Sequence, residues 1–458
     1  MNAEPFLPSD PSAFLVLTDA LLESLKGQLT LIQPLEERRR LVGDALERLY
    51  AEHRNGFPDL SDGAQRQAFL HAFLSYDLIE EFLNDPAVED IIINATEPIF
   101  VHKLGEGLVK TERRFATMQQ LAVFVKKLLI FGGRAEADMI NDLELADVRG
   151  RVNIIASPFG PQITITRGKP HPLTILQLIE NGALPYDVAA QLWMYVEGLQ
   201  VRPANLIISG GPGTGKTTLL NALLSFIPPK ERVVTIEDTL ELNTSFLENC
   251  SRLESCRRAK MDALVKNSLR MRPERILVGE VRGAEAHDLM TAINLGKYCM
   301  STVHATSARE TILRLQNAPM NVPPVLVSLV DVFVILRKTN IEGKVSRIVC
   351  ELVETAGMEH QVVLLTTLWS YDHDRHQLAE SSPSSIYRDK LATESGRTPA
   401  QIMEETARRA KILKRMAMTG RFQDIAAVTA LCQQYSSHPD DALEQIGMHR
   451  DVDTRGKK

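Results

Sequence analysis

Leu206-Ile207-Ile208-Ser209-Gly210-Gly211-Pro212-Gly213-Thr214-Gly215-Lys216-Thr217-Thr218-Leu219-Leu220 reads as a short apolar strand, a glycine-rich loop and the first turn of a helix. That order brings together three things a phosphate chain needs: inward-pointing backbone N–H groups, the positive end of a helix, and a lysine that reaches the outer phosphates. Gly210, Gly211, Gly213 and Gly215 let the backbone curl without Cβ clashes, and Pro212 and Thr214 complete the loop between them. Lys216 is expected on the β and γ phosphates, the Thr217 hydroxyl on magnesium, and Thr218 opens the helical run behind. A chance glycine turn would lack the preceding strand, the full spacing and the helix. The expected ligand is a nucleoside triphosphate with Mg²⁺.

Two later strands end in acids. Val233-Val234-Thr235-Ile236-Glu237-Asp238-Thr239-Leu240-Glu241 is a buried strand running into carboxylates. Acids at a strand's C-terminal end face the crevice where open α/β sheets bind ligands. Glu237 or Glu241 is placed to polarise an attacking water, which in phosphoryl transfer is positioning work more than strong-base work. A helix cap or a solvated acidic loop is the bland alternative. Arg275-Ile276-Leu277-Val278-Gly279-Glu280-Val281-Arg282 is the second such strand. Gly279 breaks its apolar run and no Asp accompanies Glu280, so Glu280 is expected to act alone, through water on Mg²⁺ or on the nucleophile. Ser301-Thr302-Val303-His304-Ala305 ends a third strand in a histidine. His304 is either a satisfied core residue or a sensor of the γ-phosphate. On pattern alone Arg151 and Arg167, upstream, are ordinary strand arginines.

A chain of 458 residues with 44 % hydrophobic and 24 % charged residues should hold two or three soluble domains. Its net charge of −6 and 5 % aromatic content give no global basic field and few stacking platforms, which counts against a nucleic-acid motor. Five cysteines without a C-x-x-C pair read as reduced thiols of a cytoplasmic protein. The N-terminal stretch lacks a basic region and a long apolar run, so no signal peptide is expected. No stretch reaches the roughly 18–20 apolar residues that span a bilayer, so membrane association is expected through partners rather than by direct insertion.

Residues 1–84 read as a helical region, with amphipathic helices over 35–54 and 64–84. Arg38-Arg39-Arg40 beside Glu36 and Glu37 is a solvated helix face. Residues 85–169 read as an α+β domain, with strands around Ile91 and Ile99, a helix over 118–131 and strands over 151–156 and 162–167. Gly168-Lys169-Pro170-His171-Pro172 is the expected linker. Residues 170–385 alternate strand and helix, as an α/β nucleotide-binding domain with a mostly parallel sheet should. Residues 386–450 read as a C-terminal helical region, and 451–458 as a frayed end.

Taken together, the phosphate loop, the acid box, the second acid strand with Gly283, Glu285 and Ala286, and the histidine box resemble the ATPases of type II and type IV secretion, type IV pilus assembly and the archaellum. Leu269-Arg270-Met271-Arg272-Pro273-Glu274-Arg275 and Asp85-Pro86-Ala87-Val88-Glu89-Asp90-Ile91-Ile92-Ile93-Asn94 also look like this family. Phe226-Ile227-Pro228-Pro229 and Ala318-Pro319-Met320-Asn321-Val322-Pro323 resemble its tight-adherence and archaeal branch. The resemblance implies an N-terminal helical region, a middle α+β domain and a RecA-like motor domain, in a homo-hexamer with ATP between the last two. It implies Lys216 and Thr217 on phosphate and Mg²⁺, Glu280 as the second-strand acid, Glu237 as the foremost water-polarising acid, and Arg151 and Arg167 as phosphate sensors. It implies a polytopic membrane platform protein as partner, pilin-like subunits as indirect cargo, and a place at the inner face of the membrane. Two departures stand out. Gly133-Arg134-Ala135-Glu136-Ala137-Asp138 differs from the family's usual run, and the four-cysteine zinc module of the type II branch is absent. Retraction or export by the same parts, a nucleic-acid motor and a non-hydrolysing scaffold are the competing readings.

Overall fold

The computed structural model describes residues 11–31, 33–52, 60–104, 106–145, 150–167, 172–256, 258–341, 344–372, 374–383 and 385–448. Most of the expected linker (168–171) and the tail 451–458 lie outside the described residues. The chain divides into two compact units, Met1–Pro170 and His171–Lys458.

The first unit opens with helices α1 (Pro11–Leu25), α2 (Leu35–Glu52), α3 (Gly63–Leu74) and α4 (Glu80–Asn84). Strands β1 (Val88–Asn94), β2 (Phe100–Lys103) and β3 (Gly107–Lys110) follow, then α5 (Met118–Phe131), β4 (Ile140–Leu145), β5 (Gly150–Ile155) and β6 (Gln162–Arg167). The strands form one antiparallel sheet in the order β3-β2-β1-β6-β5-β4. α5 occupies the expected span, and the Thr117 hydroxyl caps it by accepting the Gln120 N–H. Leu21, Phe69 and Phe73 of the helices share one core with Ile91, Ile93, Ile163 and Ile165 of the sheet. The helix expected over 64–84 breaks after Leu74. There the Ser75 carbonyl accepts the Lys127 ammonium and the Tyr76 N–H turns to the Glu80 carboxylate at 2.6 Å.

The second unit contains α6 (Ile175–Glu180), α7 (Tyr186–Glu197), β7 (Leu206–Gly210), α8 (Lys216–Leu223), β8 (Val233–Glu237), β9 (Cys250–Glu254), α9 (Met261–Ser268), β10 (Arg275–Val281), α10 (Glu285–Asn294) and β11 (Tyr298–Val303). It continues with α11 (Ala308–Gln316), α12 (Pro324–Val327), β12 (Val332–Ile341), β13 (Lys344–Glu359), β14 (Val362–Asp372) and β15 (Gln377–Glu380). Helices α13 (Ile386–Ser395), α14 (Pro399–Thr419), α15 (Ile425–Ser437) and α16 (Pro439–Gln445) close the chain. The sheet runs β15-β14-β13-β12-β7-β11-β10-β8-β9, parallel from β12 to β9 and antiparallel from β12 to β15. β9 and β12 are strands beyond those read from the sequence.

Alternation along the strands sends successive side chains to opposite faces. Leu206, Ile208, Leu277, Met300, Val332 and Val334 enter one core with α7, α8 and the C-terminal helices. Ile207, Ile276, Val278, Cys299, Phe333 and Ile335 enter the other with α9, α10 and α11. Both faces are covered, which is why these strands read as unbroken apolar runs.

Candidate functional site

Strands β7, β11, β10 and β8 are parallel neighbours, so their C-terminal ends share one edge of the sheet. At that edge lie the loop after Gly210, His304 just past β11, Glu280 near the end of β10 and Glu237 at the end of β8. The topology thus gathers residues far apart in sequence into the crevice where such sheets take ligands.

The loop is held tightly. A Cβ on Gly210 would fall 2.4 Å from Thr214 Oγ1 and 2.9 Å from the Leu336 carbonyl, so only glycine fits. Gly213 and Gly215 adopt left-handed φ values of 66° and 93°, which glycine enters without Cβ strain. The Thr214 hydroxyl donates to the Gly211 carbonyl at 2.9 Å. Gly211 is half-buried and Pro212 and Gly213 are exposed, while Thr217 and Thr218 lie half-buried in the first turn of α8. The Lys216 ammonium donates to the carbonyls of Gly210 at 3.0 Å and Gly211 at 3.1 Å. Burial lowers its pKa, with Arg282 acting the same way against the pull of Glu280 and Glu241.

Glu280 accepts from Arg282 Nη2 at 2.6 Å. Burial pushes its carboxyl up, but the Arg282 hydrogen bond and the charges of Arg282, Lys216 and His304 outweigh that and hold it below the ordinary range. Glu280 is therefore a carboxylate at neutral pH, electrostatically tied to the loop lysine. Arg282 is itself raised by that hydrogen bond and by Asp238 and Glu241. The Thr302 hydroxyl donates to the Gly279 carbonyl at 2.7 Å, linking β11 to β10 beside this pair. Glu285, buried at the start of α10, accepts the N–H groups of Arg282 and Gly283 at 2.6 and 2.7 Å and fixes the turn after β10.

Glu237 behaves differently. It is 2 % exposed, and its Oε1 accepts the N–H groups of Glu241 and Leu242 at 2.9 and 3.0 Å. The carboxylate thus cinches the loop that carries Glu241, itself exposed. Gly279 makes room for it, since a Cβ there would lie 3.1 Å from Glu237 Cγ. The break in the apolar run of β10 has this packing cause. Burial drives the Glu237 carboxyl from 4.5 up to about 7, against the two N–H groups and Arg252. In the unfolded chain it ionises near 4.5, so between 4.5 and 7 the folded state holds more protons and stability falls as pH rises. The shift corresponds to about 3 kcal/mol across that window. A Glu237→Gln variant keeps an acceptor for both N–H groups and should lose this pH dependence. Urea midpoints of both proteins at pH 5 and pH 8 test it, and parallel pH slopes would refute it.

Arg151 and Arg167 belong to the first unit. Arg151 pairs in register with Thr166 and Arg167 with Gly150, so the two arginines project to opposite faces of the sheet. Arg151 shares its face with half-buried Asn153 and lies opposite Glu144 on β4. Arg167 shares the face of buried Val152 and Ile165, and its Nη1 donates to the carbonyls of Asp85 and, at 2.9 Å, Val88. Arg167 thereby closes the start of β1.

Sequence reading assigned no role to Arg282, Glu285 or Arg347. Glu280 and Arg282 stand two apart on one strand end, a spacing that puts them on the same side. Arg347 donates through Nε to the Gly213 carbonyl at 2.8 Å across 134 residues, and no local pattern announces that contact.

The chain belongs to the Type II/IV secretion system protein family, whose model matches residues 75–419. The second unit is an α/β unit with a mostly parallel sheet, and an α+β unit with N-terminal helices precedes it in the chain. An uncharacterized protein of Methanocaldococcus jannaschii, MJ0900, is 33 % identical over 375 residues, covering 77 % of this chain and 67 % of that protein. A second protein of that organism, MJ0781, is 38 % identical over 235 residues, covering 48 % of this chain and 32 % of its own length. The chain therefore spans two thirds of the first relative and about a third of the second. A crystal structure of the pilus retraction motor PilT with bound ADP matches at 17 % identity and a TM-score of 0.45, covering 81 % of this chain and 96 % of that one. Among the described residues no helix is long and apolar enough to cross a membrane.

Proposed function

We propose that this protein is an ATP-hydrolysing motor that, as a homo-hexamer, powers assembly or secretion of pilin-like subunits through a membrane platform protein. The observation that carries this reading is the sheet edge at which Lys216, at the start of α8, is electrostatically coupled to an anionic Glu280 two strands away. The family match supports the motor class.

The site suits a magnesium–triphosphate. No group of three His, Cys, Asp or Glu side chains among the described residues forms a metal cage. Mg²⁺ needs none, because it is ordinarily held by one or two carboxylates together with substrate phosphates. Thr217 and Glu280 are the residues that would hold it, and the ion would neutralise charge on the phosphate oxygens. Lys216 binds the outer phosphates. Glu280 orients the attacking water, with His304 beside it near the γ-phosphate. Glu237 and Glu241 shape the loop facing them, and Arg151 is assigned as the arginine that senses the triphosphate, while Arg167 supports its sheet.

Replacing Lys216 by alanine should lower ATP turnover by roughly 10²-fold or more, the scale for losing one preorganised charge-stabilising donor. Turnover equal to wild type would sink the site assignment. Deleting the gene and imaging cells by electron microscopy tests the cargo: lost surface filaments are expected. Intact filaments with an export defect would move the reading to effector export, and turnover stimulated by DNA would move it to a nucleic-acid motor.

A further inference from the structure

The phosphate loop leans on a hairpin that no motif places there. β12 runs beside β7 in a parallel register from Val332 opposite Leu206 to Leu336 opposite Gly210, and then continues beyond it to Ile341. β13 returns antiparallel, with Lys338 opposite Arg347. The resulting arm flanks the loop. The Leu336 carbonyl crowds Gly210, and Arg347 Cδ and Leu336 Cδ2 stand 3.8 and 3.9 Å from where a Cβ on Gly215 would be. Between these contacts Arg347 Nε donates to the Gly213 carbonyl at 2.8 Å.

That hydrogen bond has a directional consequence. In a trans peptide the carbonyl and the following N–H point opposite ways. With the Gly213 carbonyl turned to the arm, the Thr214 N–H must point away from it. The Thr214 side chain is already fixed by its bond to the Gly211 carbonyl. Glycine at a φ of 66° has low barriers to other conformations, so an untethered Gly213–Thr214 peptide is free to rotate. A charged donor makes the stronger kind of hydrogen bond, suited to holding one orientation.

We propose that Arg347 is a positioning residue for triphosphate binding: by tethering the Gly213 carbonyl, it presets a loop N–H for the phosphates. This rests on the ATP reading above. Arg347 is exposed, so its replacement removes no core packing.

The test uses the full-length protein, steady-state MgATP hydrolysis, and thermal melting without nucleotide. Arg347→Ala should raise KM on the order of tenfold, the worth of one hydrogen bond to a charged group, with kcat within about twofold and Tm unchanged. Arg347→Gln retains a neutral N–H donor and should restore KM to within about threefold of wild type. An unchanged KM in the alanine variant overturns the inference. So does a glutamine variant as impaired as alanine, because the guanidinium charge would then be acting on the nucleotide itself. A wild-type protein that neither binds nor hydrolyses ATP overturns the nucleotide reading and this inference with it.

Discussion

Arg409→Ala is expected to destabilise the second unit by about 3–5 kcal/mol, the range for breaking a buried ion pair from one side. The guanidinium is buried between Glu197 at 2.6 Å and Glu405 at 3.1 Å. It also lies 4.9 Å from the Trp193 ring centroid and 5.8 Å from that of Tyr435. Trp193 in turn stacks on Phe226 at 5.1 Å. Alanine would strand Glu197, which is 3 % exposed, without a countercharge and would empty a pocket walled by aromatic rings. The double variant Arg409→Met with Glu197→Gln should recover much of the loss, because a neutral pair of similar volume avoids the desolvation penalty. Urea unfolding of the three proteins measures this. A loss under about 1 kcal/mol for alanine would mean that the pair does not anchor α14.

The consequence reaches the site through α7. Arg409 sits on α14 and Glu197 on α7, where the neighbouring Val196 carbonyl accepts from Arg275 at 2.9 Å and the Tyr195 hydroxyl donates to buried Glu354 at 2.6 Å. Arg275, paired with Glu231 at 2.7 and 3.0 Å, begins the strand that carries Glu280. Glu354 also takes the Ser385 hydroxyl at 2.7 Å and the Tyr387 N–H at 3.1 Å at the head of α13. The C-terminal helices and the sheet of the second unit share one core.

What was legible in the sequence was local. The strand, glycine-rich loop and helix over 206–223 announce themselves because they follow within a few residues of chain and each has its own residue requirement. α5 falls on the span read from the sequence, 118–131, while its Thr117 cap emerged only in the structure. β9 was not legible, because Cys250-Ser251-Arg252-Leu253-Glu254 is a half-buried edge strand with no apolar run. β12 begins as an apolar run too short for its period to separate strand from helix, and only its place beside β7 decides it. The break after Leu74 depends on Lys127, far along the chain. The roles of Arg151 and Arg167 hinge on register, where one residue of offset sends a side chain to the other face. The place of the carboxylates at strand ends was legible, but the division between a buried Glu237 and an ion-paired Glu280 was not, since burial and partners set it.

That division yields the sharpest functional expectation: Glu280→Gln should cut kcat by about 10²–10⁴-fold, the usual span for a positioned proton acceptor, while leaving ATP binding within a few-fold of wild type. Glu280 is held anionic by Arg282, Lys216 and His304, so it is ready to orient water at neutral pH. Glu237 is not, since burial leaves it near half-protonated around pH 7 and its Oε1 is committed to two backbone N–H groups. The pH profile separates the two acids without mutation. If Glu280 is the required carboxylate, kcat should stay level as pH falls from 8 to 6, because its titration lies below the ordinary carboxylate range. If Glu237 carries the chemistry, kcat should drop through about 7. A glutamine at 280 that hydrolyses ATP as fast as wild type, with an acid limb near 7 retained, would transfer the catalytic role to Glu237. A level profile together with a slow Glu280→Gln variant assigns it to the acid beside the loop lysine and leaves Glu237 as the brace of the loop opposite.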